Sequence, residues 1–430
     1  MFYNRLFFLI LLFATMAFTL KVQAQQRLSL SEAITRALEN NYQIQIQDAA
    51  VDIARLNNVW GATGRLPQVN FRVNTDNTRA PGTFRVSGDQ IAAGPIVTWQ
   101  LFDGFRTIAA KDQLATLESL SEGNAAVIVE NTLQAVILAY YDVLISEARS
   151  QVLEEVLRFS QERLRYQNFR TEVGAAGRFE LLQFMNSVAS DSANLLLQRL
   201  NVANSRRLLN QLMSISPDSV FALTDSLPRV FSNFQLGDLS ARVQASNNAL
   251  RNQNLFIRLR AAEYKIARSE LYPDLNLSLS SNYAVGTSRL IDGRTIDQNA
   301  FQSALGLRLN FNLYNGGQVR RAIQQAEINQ QVAMLSQSEM NLSVENALKT
   351  AYEQYQTFKQ VFNLQEYNVA NAKENLFLAG ERFNSGLINA IDYRSIQVQY
   401  LDTQLARLQA LRDIQISETE LIRLSGGFIR

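Results

Sequence analysis

No proline follows Pro273, and between Gly317 and Gly380 there is no glycine either; residues with high helix propensity fill the interval. Within it Val369, Ala372, Leu376, Ala379 and Phe383 recur at alternating steps of three and four, the seam of a helix packed along its length as in a coiled coil. The pattern predicts a helix of about 66 residues, roughly 100 Å long at about 1.5 Å per residue. An ordinary globular helix has about 11–12 residues, so one compact core has no use for such a rod.

The rod is entered from a strand. Leu305, Leu307, Leu309, Phe311 and Leu313 alternate with Gly306, Arg308, Asn310 and Asn312, a period of two with one apolar face. Tyr314-Asn315-Gly316-Gly317 then signals a turn.

The same plan occurs earlier in the chain. From Ser29 or Ser31 as N-cap, a helix pattern runs to about Gly64 and is stopped by Leu66-Pro67. Val69, Phe71 and Val73 then alternate with Asn70, Arg72 and Asn74. A loop from Asp76 to Gly94 leads to a second strand, with Val97, Trp99 and Leu101 outward and Thr98 and Gln100 inward. Phe102-Asp103-Gly104 opens a long helix to about Phe169, whose seam includes Val129, Leu133, Val136, Tyr140 and Val143. Gly174 and Gly177 mark a tip, and a shorter helix returns from about Arg178 to Met213. After a loop from Pro217 to Phe234, a helix from Asp238 to Glu270, Pro273 and the alternating Leu275, Leu277 and Leu279 begin the plan again.

Leu101 and Leu313, Gly104 and Gly316, and Gly174 and Gly386 are each 212 residues apart, whereas Pro67 and Pro273 are 206 apart. The spacing predicts an internal duplication, with the six-residue drift taken up between Ala284 and Asn299. The expected organisation is a secretory leader at 1–24, a first repeat at 25–215, a linker at 216–237 and a second repeat at 238–430. Asn4 and Arg5 start the leader, Leu6 to Leu20 form its apolar segment, and Val22-Gln23-Ala24 its cleavage site. No cysteine follows that could carry a lipid anchor. The most apolar window elsewhere, Ala125 to Ile145, contains Glu130, Gln134 and Asp142 and does not read as a membrane-spanning helix.

Composition narrows the chemistry. The 430 residues include no cysteine and no histidine, which removes thiol nucleophiles, imidazole bases and the common zinc and haem ligands. No cofactor and no enzymatic activity are expected. A formal net charge of +2 with 19% charged residues offers no basic surface for nucleic acid.

Four strands of about ten residues suit a tilted crossing of a bilayer, and their alternation is that of a transmembrane barrel. An open four-stranded sheet in lipid leaves unpaired backbone at both edges, and closed barrels begin at about eight strands, so at least two chains must associate. The alternative from these patterns is a secreted stalk or adhesin, a coiled coil without a conducting lumen. A periplasmic adaptor does not need lipid-length strands in both halves.

The chain resembles the outer-membrane efflux protein family, of which the TolC exporter is the best-known member. The resemblance runs through Leu28-Ser29-Leu30-Ser31-Glu32-Ala33-Ile34 with Ala37-Leu38-Glu39-Asn40-Asn41, through Leu66-Pro67 and Tyr272-Pro273, and through Leu101-Phe102-Asp103-Gly104 and Leu313-Tyr314-Asn315-Gly316-Gly317. It ends at Arg382-Phe383-Asn384-Ser385-Gly386-Leu387. It implies an α+β membrane protein in the outer membrane of a Gram-negative bacterium. There a homotrimer closes a twelve-stranded transmembrane β-barrel, and its helices form a long coiled-coil tunnel in the periplasm. Implied partners are a periplasmic adaptor and an inner-membrane transporter, or a type I secretion machine.

The resemblance also implies an acidic aperture near the glycine tips. Asp392, six residues after Gly386, matches an acidic position of that aperture, and Glu180, six after Gly174, holds the equivalent place in the first repeat. Where some members carry a second acidic residue, this chain has Ser395. Arg170 and Arg382 are candidates to hold a closed state, Phe383 to narrow the bore, and Gly174, Gly177, Gly386 and Leu387 to dock an adaptor. Each has an ordinary reading as well. Glu180 and Asp392 suit helix N-terminal turns, where the macrodipole favours an anion, and Trp99 and Tyr283 suit either an interfacial aromatic belt or plain packing.

Overall fold

The computed structural model describes residues 26–79, 87–175, 177–289 and 293–428; the leader expected at 1–24 lies outside them. In order the elements are β1 (Gln26–Leu28), α1 (Leu30–Asn40), α2 (Tyr42–Asn57), β2 (Gln68–Arg79), β3 (Ser87–Asp103), α3 (Arg106–Glu172) and α4 (Arg178–Leu212). They continue with β4 (Phe221–Leu223), α5 (Leu236–Ser246), α6 (Asn248–Ser269), β5 (Asp274–Arg289), β6 (Thr295–Asn310), α7 (Gln318–Asn384) and α8 (Ala390–Leu424). The long helices α3 and α7 have 67 residues each, α4 and α8 have 35 each, and both pairs start 212 residues apart.

The first helix starts where Ser29 predicts, with a full capping box: its hydroxyl accepts from the Glu32 N–H while the Glu32 carboxylate accepts from the Ser29 N–H. It does not run unbroken to Gly64, however. Asn41 interrupts it, its side-chain carbonyl accepting from the N–H groups of Gln43 and Ile44 and its amide donating to the Leu212 carbonyl at 2.8 Å. The helix expected from Asp238 to Glu270 breaks in the same way at Asn247, whose side chain accepts from the Leu250 N–H at 3.0 Å. In both places a buried asparagine offers the backbone a better partner than helix continuation does.

The chain forms two compact units. One comprises the residues up to Ile44 with Val129–Val243 and those from Asn346 onward; the other comprises Gln45–Ile128 and Gln244–Glu345. In the first, the parallel pair β1–β4, which the alternation pattern did not reveal, lies beside Val136, Tyr140 and Val143 of α3. The Tyr140 hydroxyl donates to the Asp225 carboxylate at 2.6 Å and lies 2.9 Å from the Leu28 carbonyl, and Asp225 also accepts the Leu30 N–H at 2.7 Å. Burial, with Asp225 beside it, pushes the Tyr140 hydroxyl well above the ordinary tyrosine range. Among the described residues α3 is the one helix long and apolar enough to cross a membrane. Leu133, Val136, Tyr140 and Val143 from its apolar stretch are buried within this unit.

The second unit holds a four-stranded antiparallel sheet in the order β2-β3-β5-β6. Its strands have 12 to 17 residues rather than about ten. Much of the loop expected from Asp76 to Gly94 is ladder, and so is much of that expected from Ala284 to Asn299, because their Asn, Thr, Gly and Asp residues continue the cross-strand pairing. Leu101 forms a bulge between Gln100 and Phe102. β6 ends at Asn310, so Phe311 and Leu313 lie beyond the strand. Gln68 and Asp274 are 206 apart but their hairpin partners Thr98 and Asn310 are 212 apart, so the six-residue drift falls inside the second hairpin, between Ala284 and Asn299 as the spacing predicts. Only two residues separate β3 from α3, against seven between β6 and α7, because β3 goes on pairing with β5 past Thr98.

The register assembles one apolar face. Trp99, Leu277 and Leu307 form a row, followed by Val69, Val97, Leu279 and Leu305, and two rows further on by Val73, Ala93, Tyr283 and Phe301. Thr75, Ile91, Val285 and Asn299 come next, and then polar Asn77, Asp89, Thr287 and Asp297. On that face Ser281 and Ser303 satisfy one another at 3.3 Å. From Leu309 to Asn299 the band measures about 33 Å along the strand and, at the tilt of a barrel, about 25 Å in height, which is the apolar band of an outer-membrane barrel. Nothing among the described residues covers it: Phe71 and Leu305 are each 73% exposed.

Candidate functional site

Both tips are built by the same backbone device. Helix α3 ends with Gly174 at φ 75 and α7 with Gly386 at φ 71. The Ala175 N–H donates to the Arg170 carbonyl at 2.8 Å and the Gly174 N–H to Thr171; the Leu387 N–H donates to Arg382 at 2.9 Å and the Gly386 N–H to Phe383. These are two Schellman turns, each needing a left-handed residue that glycine adopts without a Cβ penalty. Across the turns, Gly177 occupies the N-cap of α4, and Asn389 caps α8 by accepting from the N–H groups of Ile391 and Asp392. Gly174, Gly177, Gly386 and Leu387 are all exposed.

The charged candidates sit around these turns without meeting one another. Glu180, in the first turn of α4, accepts from the amide of buried Gln167 at 2.9 Å. Asp392 is exposed in the first turn of α8, where Ser395 donates to its backbone carbonyl. Arg170 donates to the Ala175 carbonyl at 3.1 Å and Arg382 is exposed. Phe383, the candidate for narrowing a bore, is 3% exposed and belongs to the packing instead. Its ring meets Phe184 at 5.8 Å, Tyr393 at 5.4 Å and Tyr166 at 6.5 Å, because the heptad-like seam that includes it turns that side of α7 inward.

Arg163 explains the one glycine inside α7. Its guanidinium lies 5.0 Å from the Tyr393 ring centroid and donates to Asn384, and a Cβ on Gly380 would stand 3.2 Å from its terminal nitrogen. A groove of about 330 Å³ opens beside it, lined in part by Phe159, Glu162, Lys373, Phe377 and Tyr393.

One constellation had no separate signal in the sequence. Asp191 of α4, with a side chain 1% exposed, receives a two-pronged contact from Arg394 of α8 at 2.6 and 2.8 Å. The Ser160 hydroxyl of α3 donates to the same carboxylate at 2.6 Å, and Gln397 donates to Ser160 at 3.0 Å and to the Val156 carbonyl. A polar residue on each of three helices at seam spacing was the available clue, and polar residues at such positions are common enough to pass unnoticed.

Among the described residues no group of acidic side chains is placed to hold a metal ion. What the arrangement offers is structural: paired helices, exposed glycine turns and a lipid-sized apolar sheet. The chain is 23% identical over 418 residues to the outer membrane efflux protein BepC of Brucella suis, covering 94% of this chain and 86% of that protein. Its fold matches that of a membrane protein from Pseudomonas aeruginosa with a TM-score of 0.81 at 18% identity, covering 94% and 91% of the two chains. It also matches the CmeC outer membrane channel of Campylobacter jejuni with a TM-score of 0.77 at 15% identity, covering 93% and 85%. The sequence pattern that defines the outer membrane efflux proteins matches residues 33–214 and 239–427, and the chain belongs to that family.

Proposed function

We propose that three copies of this chain close a twelve-stranded barrel in the outer membrane, and that their helices enclose a passive exit duct served by a periplasmic adaptor and an inner-membrane transporter. The observation that carries this reading is the sheet. Its apolar face is bare over a bilayer-sized band, and β2 and β6 are edge strands of 12 and 16 residues. Unpaired backbone in lipid costs several kcal/mol per group, so these edges need partners, and a neighbouring copy supplies them. Glu180 and Asp392 are assigned to the aperture, with Arg170 and Arg382 beside it. The exposed turns at Gly174, Gly177, Gly386 and Leu387, with the groove beside Arg163, are assigned to adaptor docking.

Purified protein reconstituted in a planar bilayer tests the reading. It should migrate as a detergent-stable trimer and conduct, and Glu180→Ala with Asp392→Ala should change the conductance or its block by divalent cations. A folded oligomer that passes no current would favour the closed stalk. Unchanged current and block in the double variant would remove the two carboxylates from the aperture.

A further inference from the structure

The face of the sheet opposite the apolar band is polar, and on the duct reading just given it lines the lumen of the barrel. Most of what it presents is small. Gly94, Gly286, Gly306, Ala92, Ala284 and Ala300 stand among serines, asparagines and glutamines. Between the row of Leu275 and Leu309 and the row of Thr75 and Ile91, only two charged residues lie on this face among those described, and both are arginines.

Arg72 stands directly across from Gly94, in the row that continues to Asn282 and Gln302; Arg308 stands across from Asn276, beside Gln100. Both are exposed, and neither has a carboxylate partner among the described residues. Six residues of β3 separate the two rows, about 20 Å along the strand. The acidic residues of the same face, Asp76, Asp103 and Asp274, fall beyond the two ends of the interval; Asp103 is occupied by the N–H and hydroxyl of Thr107, and Asp274 by the amides of Asn276 and Asn310.

We infer that Arg72 and Arg308 form two cationic belts inside the barrel, and that these belts make its membrane segment favour anions and cargo bearing an anionic group. The physical basis has two parts. A guanidinium stays charged at any physiological pH, and among glycine, alanine and serine neighbours it is the longest side chain, so it reaches furthest into the bore. A bore walled by low-dielectric lipid and protein focuses the field of unpaired charges, so a few arginines set the sign of the local potential. The apolar rows behind them allow no carboxylate to neutralise the wall from the lipid side.

The test uses the full-length protein in planar bilayers under a tenfold KCl gradient. Arg72→Ser with Arg308→Ser should lower the anion-to-cation permeability ratio about threefold or more, and Arg72→Lys with Arg308→Lys should retain it. Inositol hexakisphosphate added from the barrel side should block the unaltered protein at about tenfold lower concentration than the serine variant. Intact trimers on an unheated gel establish that the serine variant is assembled. Equal permeability ratios and equal block in the serine variant and the parent, with normal current in both, would overturn the belts and leave the duct standing. Absence of current in every variant, the parent included, would overturn the duct and the belts with it.

Discussion

Breaking the Asp191–Arg394 contact should loosen the helices next to the tips. Asp191 is 1% exposed and its carboxylate is held by two guanidinium contacts at 2.6 and 2.8 Å and one hydroxyl at 2.6 Å. Arg394→Ala leaves the carboxylate buried with only Ser160, and removing one partner of a buried pair costs about 3–5 kcal/mol. Arg394 keeps some contact with water, its side chain being 24% exposed, which favours the low end of that range. A local loss of about 3 kcal/mol speeds amide exchange through opening by roughly a hundredfold. Hydrogen exchange over the first three turns of α8 should show that acceleration in Arg394→Ala. Asp191→Ala with Arg394→Ala should cost no more than Arg394→Ala alone, because the orphaned charge is gone. Protection unchanged in Arg394→Ala, or a double variant whose loss equals the sum of the single ones, would refute the coupling.

Two further outcomes follow from particular residues. Ser214 closes α4 in the left-handed region at φ 54, where its counterpart in the second repeat is Gly426 at φ 64. The left-handed form costs an L-residue about 1–2 kcal/mol and glycine returns part of that as unfolded-state entropy, so Ser214→Gly should stabilise by about 0.5–1 kcal/mol, read as a higher melting temperature of the oligomer. Glu420 is pushed up by burial, but its hydrogen bonds from Arg423, at 2.5 and 2.8 Å, and from Gln134 at 3.0 Å outweigh burial and leave it below its ordinary value. A lowered folded pKa means stability present above the unfolded value of roughly 4.3 and lost as pH falls through the folded one. Oligomer melting between pH 5 and pH 3 should therefore fall less steeply in Glu420→Gln than in the parent; parallel curves would count against the assignment.

The long helices, the four strands and the two glycine tips were legible because each rests on a strong local signal: the absence of Gly and Pro, a period of two, and a glycine where the backbone must turn left-handed. Asn41 and Asn247 escaped because an asparagine in a helical pattern looks tolerable until its side chain finds a backbone N–H to cap, those of Gln43 and Ile44 for Asn41 and that of Leu250 for Asn247. Strand lengths fell short because Asn, Thr, Gly and Asp read as loop residues, although a ladder already formed by Val73 and Ala93 carries them along. Phe383 went the other way. Its place in the seam and its nearness to a tip made two claims on one side chain, and packing against Phe184 and Tyr393 decided between them. The Asp191–Arg394 pair lay beyond reading, since residues 203 apart in the chain meet only through the way α4 and α8 are laid side by side.

The ends of the sheet explain how a chain with so little charge can fix its depth in a membrane. Where β3 hands over to α3, Phe105 holds φ 70 although its repeat counterpart is Gly317 at φ 76. The cost of about 1–2 kcal/mol is matched by edge-on contacts with Phe102 at 5.4 Å and Tyr272 at 6.1 Å, each worth about 0.5–1.5 kcal/mol. The second junction, with a longer connection, dispenses with the strained residue and presents Leu313, 85% exposed, and Tyr314 instead. Aromatic rings, amphipathic in Tyr272 and Tyr314, therefore gather at the helical end of the sheet, as they do at a membrane interface. At the other end the lipid face turns to Asn77, Asp89 and Asp297 and then to Arg79 and Arg289. Sinking the sheet toward those charges would carry arginine into hydrocarbon, at a cost rising to about 2–4 kcal/mol each at the midplane. Raising it would pull leucine rows into water at about 25 cal/mol per Å² of apolar surface. The apolar rows between the two rims thus have one depth at which neither penalty is incurred, and the connection lengths of the two repeats differ without moving it.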